Sequence, residues 1–174
     1  MKTKADIWIR MLGLVLGFTV AAIAILFSRI PAGTGLLGAD IVLASAPTGE
    51  LAVTPIGPFL SATNLTPSSP ASSGSIAVFN QTGITLNVAV RGLPSTVDMD
   101  QVMLVQVAAD GTSIYDGTLG GFRDWTTKTI TLASGQTTHL SVRTWLDPRS
   151  GEAWSGRITQ VGIEFDSNPV GAKS

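Results

Sequence analysis

Residues 140–146 read Leu-Ser-Val-Arg-Thr-Trp-Leu, and this stretch indicates the fold class most clearly. An extended chain turns successive side chains to opposite faces, so the leucines and the valine share one face here. The serine, the arginine and the tryptophan share the other face. This alternation with a period of two is typical of a β-strand that covers a core with one face only.

The same signal recurs along most of the remaining chain. Alternating apolar residues occupy 84–90 and 161–165, whereas 102–107 is a nearly continuous apolar run that predicts a strand covered on both faces. Further short strands are predicted at Leu51–Thr54, Ile76–Asn80, Ser113–Tyr115 and Thr129–Leu132. Beyond the N-terminal segment, no stretch shows sustained helical spacing.

Turn residues separate these predicted strands. Asp110-Gly111 lies between two of them and predicts a tight hairpin, and later Gly-containing steps mark further boundaries. Residues 63–75 are rich in proline and serine and are predicted to form a loop. About eight strands without intervening helices predict an all-β fold, an antiparallel β-sandwich of Greek-key or jelly-roll type.

The N-terminus carries a different pattern. Residues 8–28 are almost entirely apolar, and the helix they would form from Met11 onward is roughly 27 Å long, close to the thickness of a bilayer core. Three of the four basic residues around this segment precede it, which predicts a cytoplasmic N-terminus and an exported remainder. Residues 1–30 are therefore predicted to be a signal or transmembrane segment, and both an uncleaved anchor and a cleaved signal peptide remain open.

Composition bounds the chemistry of the chain. Among its 174 residues there is no cysteine and one histidine, which excludes disulfide frameworks and cysteine nucleophiles and disfavours zinc sites. Without residues 1–30, seven basic and eleven acidic residues remain, a formal charge of −4 that argues against nucleic acid as a partner. No catalytic motif surrounds His139, so the sequence predicts no enzyme, no cofactor and no metal site.

One cluster of residues has the composition of a binding surface. Tyr115, Phe122, Arg123 and Trp125 lie close together in sequence, and aromatic residues with an arginine are typical of binding hot spots. The same residues could form a loop that folds back over the edge of the sandwich. The hypothesis they raise is a surface module that binds a cell-wall glycan or a partner protein.

The order of the motifs resembles the TasA/camelysin family of exported bacterial β-sandwich proteins, whose members carry SipW-dependent-type signal peptides. The resemblance rests on Gly49-Glu50-Leu51-Ala52-Val53, on residues 74–83 (Gly-Ser-Ile-Ala-Val-Phe-Asn-Gln-Thr-Gly), on 102–107 and on Tyr115-Asp116-Gly117. It implies a secreted or membrane-anchored protein of the cell surface or of the biofilm matrix. It also implies that subunits can form filaments by donating an N-terminal strand.

The resemblance divides the chain into three parts. Residues 31–46 would be a tether or a donor strand, and 47–174 would be the extracytoplasmic sandwich. The candidate donor strand comprises Leu36, Leu37, Ile41, Val42 and Leu43. Three functions follow in order of preference: a non-enzymatic structural protein of the surface or matrix, a binding module, and a hydrolase centred on His139.

Overall fold

Ten β-strands form two five-stranded sheets in the computed structural model, which describes residues 38–151, 154 and 156–171. The strands are β1 (Ala39–Ser45), β2 (Leu51–Thr54), β3 (Gly57–Leu65), β4 (Ser72–Asn80), β5 (Leu86–Pro94), β6 (Met103–Ala109), β7 (Thr112–Thr118), β8 (Ile130–Leu132), β9 (Thr137–Leu146) and β10 (Ile158–Pro169). A short 3-10 helix, Gly121–Arg123, follows β7.

The first sheet has the strand order β3-β1-β10-β5-β8, and the second has the order β2-β4-β9-β6-β7. Within the described part of the chain, β1 and β10 form the single parallel pair, and all other neighbours are antiparallel. Every connection except the β6–β7 hairpin passes from one sheet to the other. The prediction of an all-β sandwich is confirmed.

The core lies between the two sheets and is built from the inward face of each strand. In β9 the two leucines and Val142 are buried, whereas Ser141 and Arg143 are exposed and Trp145 is half-buried. The burial pattern of β9 therefore confirms the alternation predicted from residues 140–146. Burial of such apolar faces is the main favourable term in folding, at about 25 cal/mol per Å² of apolar surface.

The β6–β7 hairpin also follows its prediction. Asp110 and Gly111 connect the two strands with φ angles of 45° and 83°, both in the left-handed region. Two consecutive positive φ angles define the type of turn that matches the twist of a two-residue hairpin, and Asp-Gly is a favoured pair there.

Three details of the predicted segmentation are wrong. The apolar run 102–107 is not buried on both faces. In a two-layer sandwich each sheet packs against the other on one side only, and β6 accordingly alternates between buried and half-buried positions. The strand β3 was not predicted, since Pro58 and a bulge opposite β1 disturb its alternation. The predicted loop 63–75 shrinks to 66–71, because β3 and β4 extend into it from both sides.

Residues 1–30, predicted as the signal or transmembrane segment, and the candidate donor residues Leu36 and Leu37 lie outside the described residues. Within the part of the chain that is described, no helix has the length and apolar character needed to cross a bilayer.

Candidate functional site

The first strand occupies an interior position of its sheet. β1 pairs antiparallel with β3 and parallel with β10, so both of its edges are hydrogen-bonded by strands of the same chain. Ile41 and Leu43 point into the core and are 0% and 1% exposed, and Val42 is buried as well. Residues 39–45, predicted as part of a tether or donor strand, thus complete the sandwich of their own chain.

The predicted binding cluster does not form one surface. Phe122 is 0% exposed and its ring lies 4.9 Å from that of Tyr115, centroid to centroid. Phe122 therefore belongs to the core and not to an exposed contact surface. The Tyr115 hydroxyl donates to the Thr118 carbonyl, and burial raises the pKa of this hydroxyl.

Arg123 is held by the segment that precedes β6. Its Nε and Nη2 donate to the two carboxylate oxygens of Asp100 at 2.8 and 3.1 Å, and Nη2 also donates to the Thr96 carbonyl at 3.0 Å. These hydrogen bonds occupy most of the N–H groups with which the Arg123 guanidinium could bind a ligand. Arg123 thus joins the 3-10 helix to the segment before β6, whereas the structural alternative for this cluster had expected it to pair with Asp124 or to stack on Trp125.

Trp125 lies beside the first sheet, where it contacts Arg91 of β5. The Arg91 guanidinium stacks 4.3 Å from the centroid of the Trp125 ring and donates to Glu164 Oε2 at 2.8 and 2.9 Å. The indole is 37% exposed. Trp125 is the most exposed of the four predicted contact residues, and its binding role stays a prediction.

A shallow pocket that sequence reasoning missed lies on the outer face of the second sheet. Its volume is about 400 Å³. We call it the β9 pocket, because Arg143 and Trp145 of β9 line it. The remaining lining residues are Pro67, Ser69, Ala71, Gln106, Asp116 and Pro148.

The strand register explains why these residues meet. Gln106 of β6 pairs with Arg143 on one side and with Asp116 of β7 on the other, so the three side chains form a row across the sheet. The sequence predicted part of this arrangement, because the alternation in 140–146 places Arg143 and Trp145 on the same face of the strand. It did not contain the register that brings β6 and β7 beside them.

The environment of His139 is structural. Asp110 Oδ2 accepts a hydrogen bond from Thr138 Oγ1 at 2.6 Å, and Asp110 Oδ1 accepts one from the His139 backbone N–H at 3.0 Å. The pKa of Asp110 lies below its ordinary value. The hydrogen bond from Thr138 is the largest cause, and the one from the His139 N–H is the second. The His139 Nδ1 lies 3.8 Å from Asp110 Oδ1, too far for a hydrogen bond.

No group of three or more His, Asp or Glu side chains within 38–151, 154 and 156–171 is arranged to hold a metal ion. The carboxylates of Asp98 and Asp100, the closest sequence pattern to a cation site, bind Arg157 and Arg123 respectively.

No protein-family model matches the sequence, and no curated protein matches it significantly. Among solved structures, a GH31 α-xylosidase from Xanthomonas citri is similar at a TM-score of 0.29 and 13% identity, over 78% of this chain and 18% of that one. A β-glucosidase from Kluyveromyces marxianus in complex with glucose is similar at a TM-score of 0.28 and 15% identity, over 70% and 16%. The chain spans less than a fifth of either structure, and similarity at this level carries no argument about function.

Proposed function

We propose that this protein is an exported, non-enzymatic structural protein of the cell surface or extracellular matrix, and that copies of it assemble by exchanging β1. The observation that carries the proposal is the position of β1. It is the first strand of the described residues, yet it lies between β3 and β10 in the interior of a sheet.

Removal of β1 from its own chain would open a long groove. The groove would expose the free edges of β3 and β10 and the pockets that Ile41 and Leu43 occupy. Full burial of these two side chains contributes about 3–6 kcal/mol, a large share of the stability of an ordinary domain. An equivalent strand from a second copy would fill the groove with the same hydrogen bonds and the same side chains.

The connection after β1 sets the geometry of an exchange. Residues 46–50 join β1 in the first sheet to β2 in the second, and fully extended they reach about 17 Å. A neighbouring copy that receives β1 must therefore lie in direct contact with the donor. Short connections of this kind favour exchange of a terminal strand between subunits.

Export and attachment belong to the same proposal. The basic start and the apolar stretch within residues 1–30 support a membrane-anchored or secreted protein, and a transmembrane or signal helix would precede the sandwich. The crossing of most connections between the sheets supports the Greek-key type of sandwich. N-terminal sequencing of protein recovered from cells tests export and anchoring. A sequence that begins at Met1 supports an anchor, and one that begins between residues 31 and 38 supports release with β1 intact. A start beyond residue 45 contradicts the exchange of β1, and recovery in the cytoplasm contradicts export.

Paired cysteines test the exchange of β1, because the natural chain has no thiol that would interfere. Val42 of β1 is the register partner of Ser61 of β3. Opposite Cα atoms in an antiparallel pair lie at distances that a disulfide can bridge. When full-length chains carrying Val42→Cys are mixed with chains carrying Ser61→Cys and oxidised, exchange predicts a covalent dimer that joins position 42 of one chain to position 61 of the other.

The matched control replaces Ser61→Cys with Ser141→Cys, an exposed position on the other sheet. This mixture should give no dimer linked through position 42. In a chain that carries both Val42→Cys and Ser61→Cys, oxidation in dilute solution should lock β1 in place and prevent assembly until a reductant is added. If concentrated mixtures yield no 42–61 link between chains, β1 exchange is ruled out.

A further inference from the structure

We propose that the β9 pocket binds a saccharide. This inference goes beyond the structural role and does not depend on the exchange of β1. It assigns a ligand class to a surface of the second sheet, whereas β1 lies in the first sheet.

The floor of the pocket is a row of polar groups of mixed character. Arg143, Gln106 and Asp116 are register partners on three neighbouring strands, so their Cα atoms form a row about 10 Å long. The central amide separates the two charges, and no ion pair joins them among the described residues. Donors and acceptors are thus presented side by side.

Much of the hydrogen-bonding capacity of this row is unused. Gln106 Nε2 donates to Asp116 Oδ2 at 3.1 Å, which leaves the amide oxygen and Asp116 Oδ1 without a partner in the described part of the chain. Within those same residues, the Arg143 guanidinium has no hydrogen-bond partner at all. The other four described arginines each bind a carboxylate. Arg143 is the exception, and it lines the pocket.

An aromatic wall stands beside the polar row. Trp145 follows Arg143 by two residues, so both side chains leave the same face of β9. Pro67 and Pro148 line the pocket too, and proline fixes its own backbone φ, which limits how far these parts of the wall can move. A half-buried indole held beside stiff residues gives a ligand a flat apolar surface at low entropic cost.

This combination fits a sugar better than other ligand classes. Each sugar hydroxyl both donates and accepts, so a hydroxyl-bearing ring can bind Arg143, Gln106 and Asp116 at once. The C–H face of the ring can meanwhile pack on Trp145. A simple anion would leave Asp116 unused, a simple cation would face Arg143, and an apolar ligand would cover all three polar groups without replacing their water. The volume of about 400 Å³ lies in the range of small-molecule sites.

The test uses the full-length chain in a detergent without a sugar headgroup, applied to a microarray of neutral, N-acetylated and acidic cell-wall oligosaccharides. We expect saturable binding to at least one class, followed by a calorimetric Kd for that oligosaccharide. Trp145→Ala should weaken the affinity by about tenfold or more, as expected for a central aromatic contact. Arg143→Ala changes an exposed side chain and should weaken the same binding while the melting temperature stays unchanged.

Phe79→Ala is the matched control, because Phe79 is also a partly exposed aromatic residue on the outer face of the second sheet but does not line the pocket, and it pairs with Thr137 at the other end of β9. It should bind as the natural protein does. The assignment is overturned if no oligosaccharide on the array binds saturably. It is also overturned if folded Trp145→Ala and Arg143→Ala chains keep the natural affinity, or if Phe79→Ala alone abolishes binding.

Discussion

Asn80 is fully buried at the end of β4, where its side chain hydrogen-bonds two segments of the chain, residues 82–84 and 132–133. Its Nδ2 donates to the carbonyls of Ile84, Leu132 and Ala133 at 2.8–3.1 Å. Its Oδ1 accepts from the backbone N–H and the hydroxyl of Thr82, at 2.9 and 2.7 Å. An amide that is both donor and acceptor suits this place, because buried carbonyls without a donor are costly.

We predict that Asn80→Ala lowers the free energy of unfolding by about 3 kcal/mol, since it leaves buried carbonyls unpaired. Thermal and urea unfolding of the full-length chain measure the effect. Asn87→Ala is the control, because the Asn87 side chain makes an exposed hydrogen bond to Thr131 and should cost less than about 1 kcal/mol. Equal losses in the two variants would contradict the role given to Asn80.

Asp110 links the β6–β7 hairpin to β9 through two hydrogen bonds that favour its charged form. Its pKa is lower in the folded chain than in the unfolded one. The stabilisation is therefore complete above the ordinary aspartate pKa of about 4 and is lost as the pH falls through the lower, folded value. Its size is small, because the carboxylate is largely exposed to solvent.

We predict that Thr138→Val raises the pKa of Asp110 toward the ordinary value, because the largest cause of the depression is removed. NMR titration of the Asp110 carboxyl carbon measures this pKa. In parallel, the stability difference between the natural chain and Asp110→Asn should be present at pH 6 and should shrink as the pH falls through the lowered, folded pKa of Asp110. An unchanged Asp110 pKa in Thr138→Val would show that the hydroxyl does not act in this way.

At the scale of elements, the 3-10 helix docks on β5 through one close contact. A Cβ atom added to Gly92 of β5 would lie 2.6 Å from Phe122 Cδ1 and 3.0 Å from Val161 Cγ1. The absence of a side chain at Gly92 is what lets the Phe122 ring enter the core. Phe122, which was predicted to contact a partner, thus attaches this helix to the sheet.

We predict that Gly92→Ala costs about 1–3 kcal/mol of stability through overpacking against the Phe122 ring. Calorimetric unfolding measures the loss. Gly83→Ala is the control, because a Cβ there meets nothing within 4 Å. Adding Phe122→Leu to Gly92→Ala should cost less than the sum of the two single losses, since the two positions share the same space. Strict additivity would contradict the contact.

At the scale of the whole molecule, one apolar core between two sheets holds the fold together, and the chain has no cysteine to support it. β1 supplies Ala39, Ile41 and Leu43 to this core. The sandwich therefore begins before residue 47, and the first strand is a structural part of it.

We predict that a chain beginning at residue 47 loses cooperative thermal unfolding, because its core lacks β1 and two strand edges are unpaired. A chain beginning at residue 31 should unfold cooperatively. Addition of a synthetic peptide with the sequence of residues 38–46 should restore a cooperative thermal transition to the truncated chain. A cooperative, unchanged transition in the chain beginning at residue 47 would show that β1 is dispensable.

Most of the fold prediction rested on sequence patterns within a few neighbouring residues. Alternation at 140–146 and at 161–165 and the Asp110-Gly111 step depend on neighbours in sequence, and each has its expected form in the structure. The strand β3 escaped prediction because Pro58 and its bulge hide its alternation. The role of Phe122 escaped because burial of an aromatic side chain depends on a distant glycine, which no local pattern reveals.

The sequence by itself determined the fold class, since the pleat of a strand turns alternate residues to opposite faces wherever the strand is placed. It also determined the single turn type of the β6–β7 hairpin. Only the tertiary structure decided that β1 completes its own sheet and that Arg143, Gln106 and Asp116 form one row beside Trp145. The physical reason is register: hydrogen bonds between strands far apart in sequence select which side chains become neighbours, and that choice depends on the fit of the whole core.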